Sequence, residues 1–392
     1  MVAWFARLGV SAPHAVFAFA AGALTLLAWP PERPSAQVAR FTAPVDRQFP
    51  DMAAAHFSED VIASYKNGTA HSPSILAFDD GRLLATWFQG SAEAQRDVAI
   101  QASHRIDGGW SVPSAILSAP EERLARQHFV ATLGNPALFH GADGSIKLAH
   151  VMTVLGGWST SRIALRSSTD GGRTFGKAKV LRLSPFFNLS HLVRFPALEM
   201  ADGLLGLPAY GEFIWGMTEI AVFDKTGRVV DKRRIGGGGN AGIQADLLWA
   251  GGDTMETFLR PTGSMRQRAY RSESRDAGVT WSDPVPGEWP NSGAPVCSER
   301  FADGAAVLAS NEDERGRRRL VLRYRPANED TWRRIDTEIV GDAGAESLSY
   351  CAIALERGEI AHMVYSRFSD RSIRHVEFNQ RWLVDHSAKG GG

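Results

Sequence analysis

The chain has 392 residues, 44% hydrophobic and 22% charged, and its 43 Lys+Arg are matched by 43 Asp+Glu. That balance leaves no global field to draw it to nucleic acid or an acidic surface, and two cysteines, Cys297 and Cys351, exclude a disulfide scaffold or a cysteine-rich metal site. Eleven Trp, 20 Phe and 39 Gly favour strands and tight turns over helical packing.

Residues 8–31 contain no Asp, Glu, Lys or Arg. The apolar stretch Ala15 to Trp29 follows Arg7 and ends at Pro30-Pro31, the pattern of a signal peptide or an uncleaved anchor. Small-x-small cleavage sites are poor, which favours an anchor over residues 1–29. Arg7 on the cytoplasmic side places the rest of the chain outside. The expectation is an exported protein, anchored in the inner membrane and facing the periplasm, or else periplasmic or secreted. Residues 30–56, rich in Pro and Ala, read as a linker.

From residue 57 to 385 one unit recurs: an apolar strand, a D-G or G-G turn, a second apolar strand, a variable loop, a third strand and another turn. HSPSILAFDDGRLLATWF (71–88) is the clearest copy. Units starting at His71, Asn135, Ser190, Ile243, Ala294 and Ser349 are spaced by 64, 55, 53, 51 and 55 residues. Periods of this size with several strands per repeat predict propeller blades. The fold expected is all-β, a six-bladed β-propeller with an N-terminal hydrophobic helix. A ring hides its edges by joining its ends, so part of Phe57–Ser64 should add the outer strand of the sixth blade. Residues 386–392 read as a flexible tail.

Two turns carry a second signature, S-x-D-x-G-x-T followed by an aromatic residue: Ser168 to Phe175 and Ser274 to Trp281, 106 residues apart. A worn copy runs from Ser103 to Trp110. These resemble the Asp box of sialidases and their relatives, a structural turn in which Asp accepts local N–H groups and Gly supplies a positive φ. The stretches Trp87 to Glu93, Pro208 to Glu212 and Glu346 to Tyr350 more closely resemble a bacterial "predicted neuraminidase" subgroup.

The resemblance implies a site at the mouth opposite the Asp boxes. By place, the family's first-arginine tripeptide is His71-Ser72-Pro73 here. Its acid/base Asp falls at Glu93 or Asp97, its second arginine at Arg260, its third at Arg318 or Arg319, and its nucleophilic tyrosine at Tyr350. Asn311, Glu346, Glu212 and Gln244 complete the candidates. The types belong together, because a substrate carboxylate beside the anomeric carbon repels a carboxylate nucleophile, so tyrosine replaces it. Arginines hold that carboxylate with paired N–H groups. Two departures stand out: His71 replaces an arginine, and Gln244 replaces the glutamate that activates the tyrosine. An amide cannot take that proton, which leaves Glu212 or Glu346 as base.

The resemblance thus implies an exo-acting glycoside hydrolase removing an acidic terminal sugar from a glycan. A non-catalytic glycan-binding propeller and a polysaccharide lyase are the alternatives. Glycan and membrane are the partners expected, with no nucleic acid, metal or other cofactor. Oligomeric state stays open. Cys297 and Cys351 occupy equivalent strands of neighbouring blades, expected to be too far apart for a bridge.

Overall fold

The computed structural model describes residues 38–387, except 47–53, 127–129, 155–156, 185–187, 213–216, 237–241, 264–267 and 341–347. Six antiparallel sheets of four or five strands follow one another along the chain. Their innermost strands begin with Thr69–Ala77, Thr132–His140, Leu192–Val193, Ile243–Gly251, Cys297–Arg300 and Leu348–Glu356, matching the six repeats. Each D-G or G-G turn joins an inner strand to the next because glycine accepts the positive φ such turns require, as at Gly81 (φ 87°). Blades stack face to face, so strands such as Ile146–Thr153 are buried along their whole length. Phe139 and Phe223 pack between blades two and three, Phe301 and Met363 between blades five and six.

The ring closes as expected. Phe57–Ser64 pairs antiparallel with Ser372–Asn379, with Phe57 opposite Phe378 and Ser64 opposite Ser372. The helix Gln380–His386 starts directly after that strand, capped where Asn379 accepts the Trp382 N–H at 3.0 Å. Trp382 then stacks on Phe57 with ring centroids 4.6 Å apart, pinning the seam.

Both full Asp boxes show one bonding pattern. The Asp170 carboxylate accepts from Ser168 Oγ at 2.7 Å and the Thr174 N–H at 3.0 Å, and Asp276 does the same with Ser274 and Thr280, both at 2.8 Å. These bonds, Thr174's foremost, hold the Asp170 carboxyl below its usual range.

Residues 38–46, expected as linker, lie against the Asp-box face. The Phe41 N–H donates to Ala277 O at 2.9 Å and the Thr42 N–H to Glu199 O at 3.0 Å. The Phe41 ring covers Gly206 and Gly278, where a Cβ would come within 2.6 and 2.2 Å of it.

One expectation is corrected. Cys297 and Cys351 form a disulfide between blades five and six, with Cα atoms 5.9 Å apart. Inner strands converge at the channel, and there neighbouring blades come within bridging distance.

Candidate functional site

Four inner strands share an irregularity at the mouth. The ladder skips two residues between His71 and Ser74, Gly134 and Ala137, Ile243 and Asp246, and Ser349 and Ala352. The first skipped residue is left-handed each time: Ser72 (φ 56°), Asn135 (42°), Gln244 (55°) and Tyr350 (59°). Such bulges re-aim side chains, and each non-glycine residue held there costs about 1–3 kcal/mol. The repeated strain lines the wall of the mouth on four of the six blades.

On that wall the Tyr350 hydroxyl receives Arg260 Nη1 at 2.7 Å. The same nitrogen lies 3.3 Å from Gln244 Oε1. Arginine only donates, so the amide must present its oxygen there and its nitrogen elsewhere. Gln244 Nε2 accordingly donates to the Tyr210 hydroxyl at 3.0 Å, which also receives Asn135 Nδ2 at 3.2 Å. Burial raises the Tyr210 pKa, helped by the neighbouring Tyr350 and Glu212. Burial works against the Arg260 cation, but Tyr350, Tyr210 and Glu212 hold its pKa up.

Two further guanidinium groups flank the Tyr350 ring. Arg317 lies 5.8 Å from its centroid and Arg194 5.4 Å. Arg317 also donates to Ser349 Oγ at 3.3 Å and Gly293 O at 2.9 Å. His71 packs its ring 4.1 Å from that of Tyr350 and shares a 3.0 Å hydrogen bond with Ser366 Oγ. Burial, then repulsion from Arg317, Arg194 and Arg260, drives its pKa well below normal. The first-arginine position thus holds a neutral imidazole.

Glu93 and Glu212 complete the mouth. Both reach solvent at its wall, yet lie among enough protein atoms for desolvation to raise their pKa values. Arg260 and Arg317 oppose the shift of Glu93, Glu212 adds to it, and a Trp158 hydrogen bond opposes it. Arg260 opposes the shift of Glu212. These interactions bring Tyr350, Arg260, Gln244, His71, Glu93 and Glu212 into one electrostatic unit.

Other candidates stand apart. Asp97 accepts the Ser91 N–H at 2.9 Å and Ser91 Oγ at 3.0 Å, bracing the loop that carries Glu93. Asn311 donates to the carbonyls of Arg319 and Leu348, tying blade five to blade six. Arg318 and Arg319 turn to Asp313, with Nε atoms 3.8 and 3.3 Å from its Oδ1. The arginine of that cluster that reaches Tyr350 is Arg317. Glu346 lies outside the described residues.

Three participants went unnoticed in the sequence: Arg317, Tyr210 and Arg194. Tyr210 sits inside the Pro208–Glu212 motif and was legible there. Arg194-Phe195-Pro196 repeats the arginine-x-proline pattern sought in blade one, but in blade three.

Among the described residues, one cluster has metal-ligand spacing: His362, His375 and Glu377, whose ligand atoms lie within 4.8 Å of one another. Trp110 Nε1 can only donate, so its 3.4 Å bond makes His375 Nδ1 an acceptor. His375 Nε2 then carries the proton toward His362 Nδ1 at 3.1 Å, and His362 Nε2 donates to Glu356 at 3.3 Å. Arg105 sits 2.8 Å from Glu377. Burial lowers the two histidine pKa values to about 2 and about 3, so both are neutral. The nitrogens are committed to a hydrogen-bond relay rather than aimed at an ion.

The model of the BNR repeat-like domain matches residues 81–363, well over half of the chain. The chain belongs to the BNR repeat-like domain family. No curated protein is similar to it in sequence. Among solved structures, the Hadza microbial sialidase Hz136 is 15% identical with a TM-score of 0.65, the match covering 80% of this chain and 66% of that one, just under two thirds. A Dyadobacter fermentans protein of unknown function is 17% identical, TM-score 0.64, covering 82% and 97%. The Penicillium chrysogenum α-L-arabinanase is 12% identical, TM-score 0.59, covering 83% and 99%. At such identities the likeness is one of fold, a BNR-type propeller like those of glycoside hydrolases.

Proposed function

We propose that this BNR-family propeller is an exo-acting glycoside hydrolase that removes an acidic sugar from the end of a glycan. The observation that carries the reading is the 2.7 Å bond from Arg260 to the Tyr350 hydroxyl, with Glu93 within electrostatic reach of the same arginine. Arg260 and Arg317 supply a cationic wall for a substrate carboxylate. Tyr350 attacks the anomeric carbon, avoiding the repulsion a carboxylate nucleophile would meet. Glu93, its pKa raised by burial, protonates the leaving oxygen and afterwards activates water.

Gln244 cannot take the Tyr350 proton, and Glu212 is the described carboxylate suited to receive it, since it also interacts with Arg260. The resemblance to the "predicted neuraminidase" subgroup belongs with this reading. The protein acts outside the cytoplasm, anchored through residues 1–29, which lie outside the described residues. Its disulfide supports an oxidising compartment.

One observation favours a second reading. Among the described residues, no carboxylate is hydrogen-bonded to the Tyr350 hydroxyl, as a glycan-binding propeller without turnover would also have it. A screen of the full chain against aryl glycosides of acidic and neutral sugars separates the two. Release from acidic glycosides supports the hydrolase, and binding without release the alternative.

A further inference from the structure

Tyr350 stands in a left-handed bulge, and something must hold it there. Arg194, from blade three, reaches across the channel to both residues of that bulge. Its Nη2 donates to the carbonyls of Tyr350 at 2.8 Å and Cys351 at 2.6 Å. Its Nη1 donates to the carbonyl of Pro73, the second residue of the matching bulge in blade one, at 3.0 Å. Arg194 is 1% exposed, and burial lowers its pKa only to about 10, so it stays charged. Among the described residues no carboxylate forms a salt bridge with it. A buried cation held by three carbonyls and two aromatic rings, with its Nε left unbonded, adds little to stability, and an apolar side chain would fill the space at lower cost. What the guanidinium supplies instead is a planar fork that fixes three carbonyls at once.

We propose that Arg194 is a positioning residue, which locks the blade-six bulge across the channel so that the Tyr350 hydroxyl is presented to Arg260 at the mouth. This rests on the reading of Tyr350 as nucleophile. The disulfide at Cys351 tethers the same bulge from blade five, which makes it the rival explanation.

The test compares Arg194→Lys, Cys297→Ser/Cys351→Ser and Tyr350→Phe with the wild-type full chain, by kinetics on an acidic aryl glycoside and by crystal structure. Lysine keeps the charge but loses the fork. Arg194→Lys should lower kcat about 10- to 100-fold, with KM changed less than about threefold, because the nucleophile alone is displaced. Its structure should show the Tyr350 hydroxyl away from Arg260. The serine pair should keep kcat within about threefold of wild type. Unchanged kcat in Arg194→Lys, or Tyr350 still on Arg260 in its crystal, overturns the proposal. So does a serine pair that loses Tyr350 from Arg260 while Arg194 keeps its three carbonyls. That structural arm also decides the matter if Arg194→Lys does not fold, or if no glycoside turns over. A fully active Tyr350→Phe sinks the nucleophile reading instead, leaving the geometric outcome to be judged separately.

Discussion

The Tyr350 hydroxyl and Arg260 Nη1 lie 2.7 Å apart across 90 positions of sequence, one at the start of blade six and the other at the end of the second strand of blade four. Because arginine only donates, the phenol oxygen is the acceptor, and negative charge developing there is stabilised. Removing that oxygen should abolish chemistry and spare binding. Tyr350→Phe is expected to lower kcat by about a thousandfold or more while retaining affinity for an acidic sugar. Steady-state kinetics with calorimetric titration check both halves.

The arginines make a sharper comparison. Arg317→Ala should raise KM for an acidic glycoside about 10- to 100-fold, the loss of roughly one charged hydrogen-bond pair. Arg318→Ala, whose side chain faces Asp313, should change KM less than twofold. The methyl ester of the same sugar should be insensitive to both.

Proton inventory gives a third prediction. Glu93 acts as acid while protonated, so activity should fall as pH rises through its elevated pKa. The Glu212 carboxylate contributes to that elevation. Glu212→Gln removes the acceptor for the Tyr350 proton and should lower kcat, and in the activity that remains the alkaline limb of the kcat/KM profile should move to lower pH. A limb that stays put, or moves up, contradicts the coupling.

The disulfide closes a separation of 54 residues, for which the chain-entropy relation gives about 4 kcal/mol. Reduction should lower the thermal midpoint by several degrees, read by circular dichroism with and without a strong reductant.

Location is testable by fractionation. The full chain should sediment with membranes and be released by detergent but not by salt. Residues 39–41 dock on the Asp-box face, about ten residues beyond the apolar segment, a reach of at most about 35 Å. An anchored propeller should thus hold its mouth away from the bilayer. Recovery of the full chain in the soluble cytosolic fraction contradicts the assignment.

The fold was legible because each blade repeats a turn at nearly one offset after its first strand, and local chemistry fixes that offset. Phe57–Ser64 was legible because a ring leaves one strand short. The site was harder. Arg315 to Arg319 offer four arginines around one glycine, and no periodicity tells which faces the mouth once the chain leaves a strand. Arg194 was hidden because its partners are backbone carbonyls of distant blades. The Cys297–Cys351 bridge was missed because inner strands of neighbouring blades were taken to lie too far apart, whereas these two converge at the channel to a Cα separation of 5.9 Å.

The most direct test of the central claim is turnover of an acidic aryl glycoside by the full chain, with its neutral counterpart as control. Steady release of the aglycone from the acidic compound, little from the neutral one, and none with Tyr350→Phe is the result expected. Tight binding of acidic glycosides with no release across the pH range would contradict it, leaving a propeller that holds glycans without cutting them.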